Sequence, residues 1–339
     1  MSLAVFFLGI ILFKRFNRSY QYQAIQKAHN NEVPRIGGLL IIVSITLMCM
    51  KNLGIYLNSF NIIIICCIPF LIIVIKEDLS HNVGPKIRFL GLLLSSGILL
   101  FFLDIDIYSI EIDFLQFFMN NDIICFIFFT LALVGLANGC NMIDGVNGLS
   151  PFYLLVSFLV IGKVIQDTST ILLLDSNISI DFTIIALVIF ILFNYPFGKL
   201  FLGDHGNYFL AFLLGILTIH FYSINNTLNT WGAILLLFYP TIEAIFTILR
   251  RIFVSKRNIL EADMEHLHSK LFLYLQKSNH SIYKANNMVL PILVFFWLIP
   301  GLIFYGFYNN DFIIILSLII MTILYIISYI FITKLNNIS

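Results

Sequence analysis

Charge is scarce in this sequence. Only 11% of its 339 residues are Asp, Glu, Lys or Arg, against 60% hydrophobic residues and a mean hydropathy of +0.98, which excludes an ordinary soluble domain. The net charge is +1, and the bases are spread over several short segments, so there is no electrostatic footprint for nucleic acid. Cysteine is sparse as well: Cys49, Cys66, Cys67, Cys125 and Cys140 lie in or at the ends of apolar stretches without metal-ligand spacing, and read as small packing residues. Polar-apolar alternation is missing, and with it the signature of a lipid-facing β-barrel. No internal repeat is visible either.

What is present is a succession of continuous apolar runs near the length needed to cross lipid, about 20 residues for a core of about 30 Å. They run near Leu3 to Phe13, Ile36 to Met50, Phe60 to Ile75, Phe89 to Leu103, Ile123 to Ala137, Leu149 to Ile165, Phe182 to Phe193, Tyr208 to Tyr222, Trp231 to Leu249, Asn287 to Tyr305 and Phe312 to Ile332. The expectation is an all-α polytopic membrane protein, one integral membrane domain over residues 1–339 with about eleven transmembrane helices. Lys and Arg collect in short cytoplasmic loops. With the N-terminus outside and the C-terminus cytoplasmic, 17 of the 19 bases fall inside, Lys51 and Lys163 excepted. The opposite loops carry acids such as Asp104, Asp106, Glu111, Asp113 and Asp175.

The polar residues concentrate in the inside loops, near 76–88, 138–149, 194–207 and 250–285. Lys76-Glu77-Asp78 ends one apolar run, and Lys86 and Arg88 open the next. Asn138, Asn141, Asp144 and Asn147 follow one another at intervals of three, a spacing that places polar side chains on one face of a helical turn, while Gly145 and Gly148 let backbone approach a ligand. Asn194 and Pro196 precede Phe201-Leu202-Gly203-Asp204, an acid in a tight glycine turn that suits a metal. Arg250 and Arg251, then Asp263, His266 and His268, offer cations and imidazoles to a phosphate-rich ligand. Acids beside bases and histidines suit a divalent cation bridging phosphates. Mg²⁺ fits best, with Mn²⁺ as a substitute, because it keeps waters and needs one or two carboxylates plus substrate phosphates. Taken singly, several of these have ordinary readings: Glu77 and Asp78 as a solvated helix end, His266 and His268 as loop histidines, Phe201 as packing. The Asn-Asp-Asn run is harder to dismiss, since such groups at the end of an apolar span are costly unless satisfied.

Together these segments resemble the polyprenyl-phosphate N-acetylhexosamine-1-phosphate transferases, the family of phospho-N-acetylmuramoyl-pentapeptide transferase. The resemblance rests on Val33-Pro34-Arg35-Ile36-Gly37-Gly38, Glu77-Asp78 with Lys86 and Arg88, Asn138 to Leu149, Asn194 with Phe201 to Asp204, and Asp263 with His266-Leu267-His268, in the family's order. It implies transfer of sugar-1-phosphate from a UDP-N-acetylhexosamine to undecaprenyl phosphate at the cytoplasmic face of the plasma membrane, with release of UMP. It also implies roles. Asp204 and Asn141 would hold Mg²⁺, and Asp78, with Glu77 beside it, would deprotonate or orient the lipid phosphate. Asp144 would support the metal and phosphate network, and Lys86 and Arg88 would hold phosphate oxygens. Asn194, Asn147 and Phe201 would bind uracil, and His266, His268 and Arg251 would contact diphosphate or sugar. Glu77 stands where the family usually has Asp, Asn147 where many bacterial members have Asp, and Ser269 where they have a third histidine. Which sugar is used is not written in the loops, and a homodimer is left open. The rival class is a transporter or flippase, whose polar residues would interrupt the middle of spans in two corresponding halves; here they sit at span ends.

Overall fold

The computed structural model describes residues 2–16, 33–53, 59–80, 83–103, 116–117, 119–170, 176–225, 227–255, 264–278 and 280–338. Arg18, Lys27, Lys256, Arg257, Asp263 and the acids Asp104, Asp106, Glu111, Asp113 and Asp175 lie outside them, as does the side chain of Asp78. All regular structure among the described residues is helical: α1 Ser2–Phe16, α2 Gly37–Leu53, α3 Ser59–Ser80, α4 Pro85–Leu103, α5 Asp122–Met142, α6 Leu149–Asp167, α7 Ser176–Asn194, α8 Gly203–Ile224, α9 Trp231–Leu236, α10 Phe238–Arg250, α11 Leu267–Lys277, α12 Ile282–Ile292, α13 Val294–Trp297, α14 Ile299–Phe307 and α15 Asp311–Ile338. A π-helical turn, Arg251–Ser255, follows α10.

Every apolar run read from the sequence falls on a helix. By length and composition, however, six among the described residues are able to cross a bilayer: Phe60–Glu77, Pro85–Phe102, Asp122–Met142, Leu149–Asp167, Gly203–Ile224 and Asp311–Asn337. A seventh joins them if α12 to α14, bent by 49°, is one span. The described helices near residues 2–11, 37–51 and 179–194 are apolar but shorter.

Two runs expected to be single helices are broken, and proline accounts for both. Between α9 and α10, Leu237 leaves helical geometry at φ −96°, ψ 22°; Pro240, three residues on, has no N–H for the bond a continuous helix would run to the carbonyl of Leu236. In the tenth run, Pro291 leaves the Asn287 carbonyl without its helical donor, and Tyr195 Oη donates to it instead at 3.2 Å. Trp297 Nε1 likewise donates to the Leu290 carbonyl at 2.9 Å. In that run side chains thus satisfy the carbonyls that the break releases, as a low-dielectric surrounding demands.

The core is built round α8. In that helix 78% of the apolar window is buried, against 33% in α15, and it packs on α2, α3, α5 and α6. Two glycine contacts set the spacing. A methyl group on Gly215 would lie 2.6 Å from Leu133 on α5, and one on Gly38 would lie 2.2 Å from the Gly206 Cα, so α2 and α8 touch backbone to backbone. The outer helices do the reverse. On α15, Phe312, Ile319, Ile323, Ile327 and Phe331 are exposed, an apolar stripe at spacings of four and seven residues that is stable against acyl chains and not against water. The molecule is a membrane protein.

Candidate active site

Chain direction alternates through the bundle. The start of α2, end of α3, start of α4, end of α5, start of α6, end of α7 and start of α8 therefore all meet at one end, and backbone hydrogen bonds lock several of them. Gly37 N and Gly38 N donate to the carbonyls of Phe201 and Leu202 at 2.9 and 2.8 Å, and Phe201 N donates to Pro34 O at 2.9 Å. The Val33–Gly38 segment is thus an anchor for the turn that enters α8. Gly203 completes that turn at φ +76°, a conformation that favours glycine.

Asp204 follows in the first turn of α8, where the helix dipole favours a carboxylate. Arg88 reaches across from α4 and holds its Oδ2 at 2.9 Å, with the two side chains 25% and 15% exposed. One turn further on, Asn207 Nδ2 donates to Asp144 Oδ2 at 2.6 Å, and the Asn207 Oδ1 accepts from Ser150 Oγ. Tyr208 Oη accepts from Asn141 Nδ2 at 2.9 Å. Residues 204, 207 and 208 share a helix face, so the first two turns of α8 gather Arg88, Asn141 and Asp144 from two other loops.

The Asn-Asp-Asn run is not one helical face. Helix α5 carries Asn138 and Asn141 and stops at Met142, leaving Asp144 and Asn147 in the turn before α6, and the four side chains fan out. Asn138 turns back to the Val134 carbonyl at 2.8 Å. The backbone N–H of Asn147 is held by Asn286 Oδ1 at 2.9 Å, while its side-chain Nδ2 makes only long contacts of 3.4 Å to Asn287 Oδ1 and Pro196 O. The Asn147 Oδ1 is buried without a hydrogen-bond partner, an open acceptor beside Asn286 and Asn287. The glycines admit protein here: a Gly145 Cβ would lie 2.2 Å from His268 Nε2, and Gly148 takes φ +83° at the entry to α6.

Other expected residues have quieter places. Asn194 is buried with both ends of its amide engaged, Oδ1 by Gly148 N and Nδ2 on the Leu200 carbonyl, each at 2.8 Å; it ties two loops together. Glu77 accepts from Val83 N at 2.7 Å and so closes the α3–α4 connection. Phe201 is half-buried, Lys86 is exposed in the first turn of α4, and Arg251 is buried at the start of the π turn. The two histidines stack in parallel, centroids 5.7 Å apart, with His266 Nδ1 3.0 Å from Glu243 Oε1. Burial presses the His268 imidazole to a pKa of about 3, so it is neutral at physiological pH, and its Nδ1 is buried without a partner.

Among the described residues no three His, Cys, Asp or Glu side chains stand close enough to cage a metal. A site of the zinc or calcium type is therefore not built from them. Asp204 and the Asn141 amide oxygen are hard donors on neighbouring helix ends, a sparse set that fits Mg²⁺ completed by water and substrate phosphates. Tyr208, Asn207, Glu243, Asn286 and Asn287 had not been singled out in the sequence. The spacing of 204, 207 and 208 was a usable signal for the first two, as was an acid inside an apolar run for Glu243.

The family model for glycosyl transferase family 4 matches residues 60–222, the stretch that runs from α3 through Arg88, Asn141, Asp144 and Asp204 to the end of α8. Over that stretch the chain resembles glycosyl transferase family 4. The chain is 27% identical over 258 residues to a probable undecaprenyl-phosphate N-acetylglucosaminyl 1-phosphate transferase of Bacillus subtilis, covering 74% of this chain and 68% of the relative. It is 25% identical over 244 residues to the undecaprenyl-phosphate alpha-N-acetylglucosaminyl 1-phosphate transferase of Thermotoga maritima, covering 72% and 69%. To the phospho-N-acetylmuramoyl-pentapeptide-transferase of Thermotoga petrophila it is 25% identical over 302 residues, covering 85% and 94%. The stacked His266 and His268 lie beyond the family-4 match, yet His268 packs on the loop that carries Asp144.

Proposed function

We propose that this protein moves a sugar-1-phosphate from a UDP-N-acetylhexosamine to undecaprenyl phosphate, leaving a lipid-linked diphosphosugar and releasing UMP. The observation that carries the reading is the convergence on the first two turns of α8, where Asp204 meets Arg88, Tyr208 meets Asn141 and Asn207 meets Asp144. The names of the relatives support the acceptor lipid. The eleven-helix arrangement, with N-terminus outside, C-terminus cytoplasmic and the site facing the cytoplasm, follows the apolar runs and the distribution of Lys and Arg; the three shorter helices and the broken α9–α10 pair would complete it by tilting or by drawing on flanking polar residues.

A bound Mg²⁺ would neutralise charge on the diphosphate, with Asp204 and Asn141 holding it. The chain's own residues do the rest. Arg88, poised on Asp204, is placed to take a phosphate oxygen by charge-assisted hydrogen bonds. The open acceptor at Asn147 suits an imide N–H such as that of uracil, and Phe201 offers a ring face for the base. Asp78, at the end of α3 beside the α3–α4 loop, is the residue for the lipid phosphate. Positioning and charge neutralisation can supply most of the rate for a phosphate nucleophile, so direct attack needs no covalent enzyme intermediate.

The experiment is to incubate purified protein with undecaprenyl phosphate, Mg²⁺ and a panel of UDP-N-acetylhexosamines, measuring UMP and lipid-linked product. Asp204→Asn and Asp78→Asn are each expected to abolish UMP release while leaving the protein folded in the membrane. No product with any donor, or full activity in both variants, defeats the reading.

A further inference from the structure

Glu243 sits on α10 with no solvent exposure, inside the ninth apolar run. A carboxylate that far from water is costly unless it is paired and hydrogen-bonded, and here both of its oxygens are used. Tyr325 Oη on α15 donates to Oε2 at 2.9 Å. Oε1 faces His266 Nδ1 at 3.0 Å and Leu267 N at 3.4 Å, at the entry to α11; Thr247 Oγ1 also lies 3.4 Å from the same ring nitrogen. A nitrogen aimed at a carboxylate carries the proton, so acceptor character passes to His266 Nε2.

The contacts continue away from the acid. The His266 ring lies parallel to that of His268, with an interplanar angle of 3°. The His268 Nε2 is 3.1 Å from Ser269 Oγ and occupies the space a side chain at Gly145 would need, next to Asp144. An unbroken series of contacts therefore links a buried acid of the bundle core to the loop that holds Asp144 against Asn207.

We propose that Glu243 is a positioning residue for the transfer reaction: its carboxylate sets the tautomer and orientation of His266 and holds the stacked His266–His268 pair against the Asn138–Leu149 loop. This rests on the transferase reading above. A carboxylate behind an imidazole does two things an amide cannot, fixing the proton on one nitrogen and raising the basicity of the other. The titratable groups that face His266 or its carboxylate are Glu243 and Tyr239 from α10, His268 from α11 and Tyr325 from α15; Lys270, paired with Glu265, follows one turn along α11.

The test uses full-length protein in detergent. Glu243→Gln keeps the size and the acceptor oxygen but removes the charge. It is expected to lower kcat about 10- to 100-fold while KM for the donor stays within about twofold, since the residue does not touch substrate. Tyr325→Phe removes one hydrogen bond and leaves the charge, so kcat stays within about threefold of wild type. Wild-type kcat in Glu243→Gln, or the same loss of kcat in Tyr325→Phe, overturns the proposal. A second arm needs no activity: melting temperatures of Glu243→Ala, His266→Ala and the double variant. Coupled residues make the double variant melt no lower than the less stable single one; additive losses overturn the proposal. Should the wild-type protein release no UMP from any donor, the transferase reading fails, and the melting arm still decides whether Glu243 and His266 act together.

Discussion

Replacing Gly38 by alanine tests the geometry of the site without touching a polar group. The new methyl would stand 2.2 Å from the Gly206 Cα, 2.5 Å from its N and 2.9 Å from the His205 ring. Carbon atoms rest about 3.5 to 4.0 Å apart, so α2 and α8 must separate by roughly 1.5 Å. The obstacle is backbone, and no rotamer relieves it. Overpacking of this kind costs about 1 to 3 kcal/mol. Its position makes the functional effect larger than the loss of stability, because Gly37 N and Gly38 N hold the Phe201 and Leu202 carbonyls that deliver Asp204, and a displacement of about 1 Å at a reacting group can cost about 10²-fold in rate. The assay pairs thermal unfolding in detergent with UMP release at saturating donor. Gly135→Ala is the control, since nothing lies within 4 Å of a methyl group there; on helix propensity it should be neutral or stabilising by about 1 kcal/mol. If Gly38→Ala unfolds and reacts like Gly135→Ala, the close approach of α2 to α8 does not seat the site and the reasoning fails.

Asn207→Ala strips a donor from Asp144 and an acceptor from Ser150; a loss of about 1 to 3 kcal/mol is expected for such buried partners, read as a lower midpoint in denaturant together with slower UMP release. For pH, His268 has its folded pKa held at about 3, below the ordinary imidazole value of 6.5, so the unfolded chain binds the proton first. Its contribution is complete above pH 6.5 and is lost as pH falls toward 3, by up to about 1.4 kcal/mol per unit. Melting of wild type against His268→Gln between pH 7 and 5 checks this, the variant giving the flatter curve. Chelation with EDTA is expected to stop UMP release, and Mg²⁺ or Mn²⁺ to restore it; activity that survives EDTA would remove the metal from the reaction.

The locations of the helices were legible in the sequence because a lipid-embedded helix must be apolar for most of its length, and that demand is written residue by residue. The gathering of polar segments at one end was legible for a related reason: polar groups at span ends and alternating chain direction leave them few other places. Breaks within apolar runs were less visible. Pro240 and Pro291 could be seen, but whether a chain bends at proline depends on a donor arriving for the released carbonyl, and the donor to Asn287, Tyr195, comes from elsewhere in the fold.

Composition and order alone determined that this chain lives in a membrane, that it is helical, and which loops carry acids, amides and imidazoles. Only the tertiary structure decided what each of those groups faces. Asn194 spends its amide on two backbone groups, Asn147 keeps an open oxygen, and Asp204 meets Arg88 although 116 residues separate them. Glu243, an isolated acid in an apolar run, acquires its meaning from His266 and Tyr325. Periodicity and charge are properties of neighbours along the chain, whereas a hydrogen bond to a distant loop depends on how helices pack, and no local pattern encodes it.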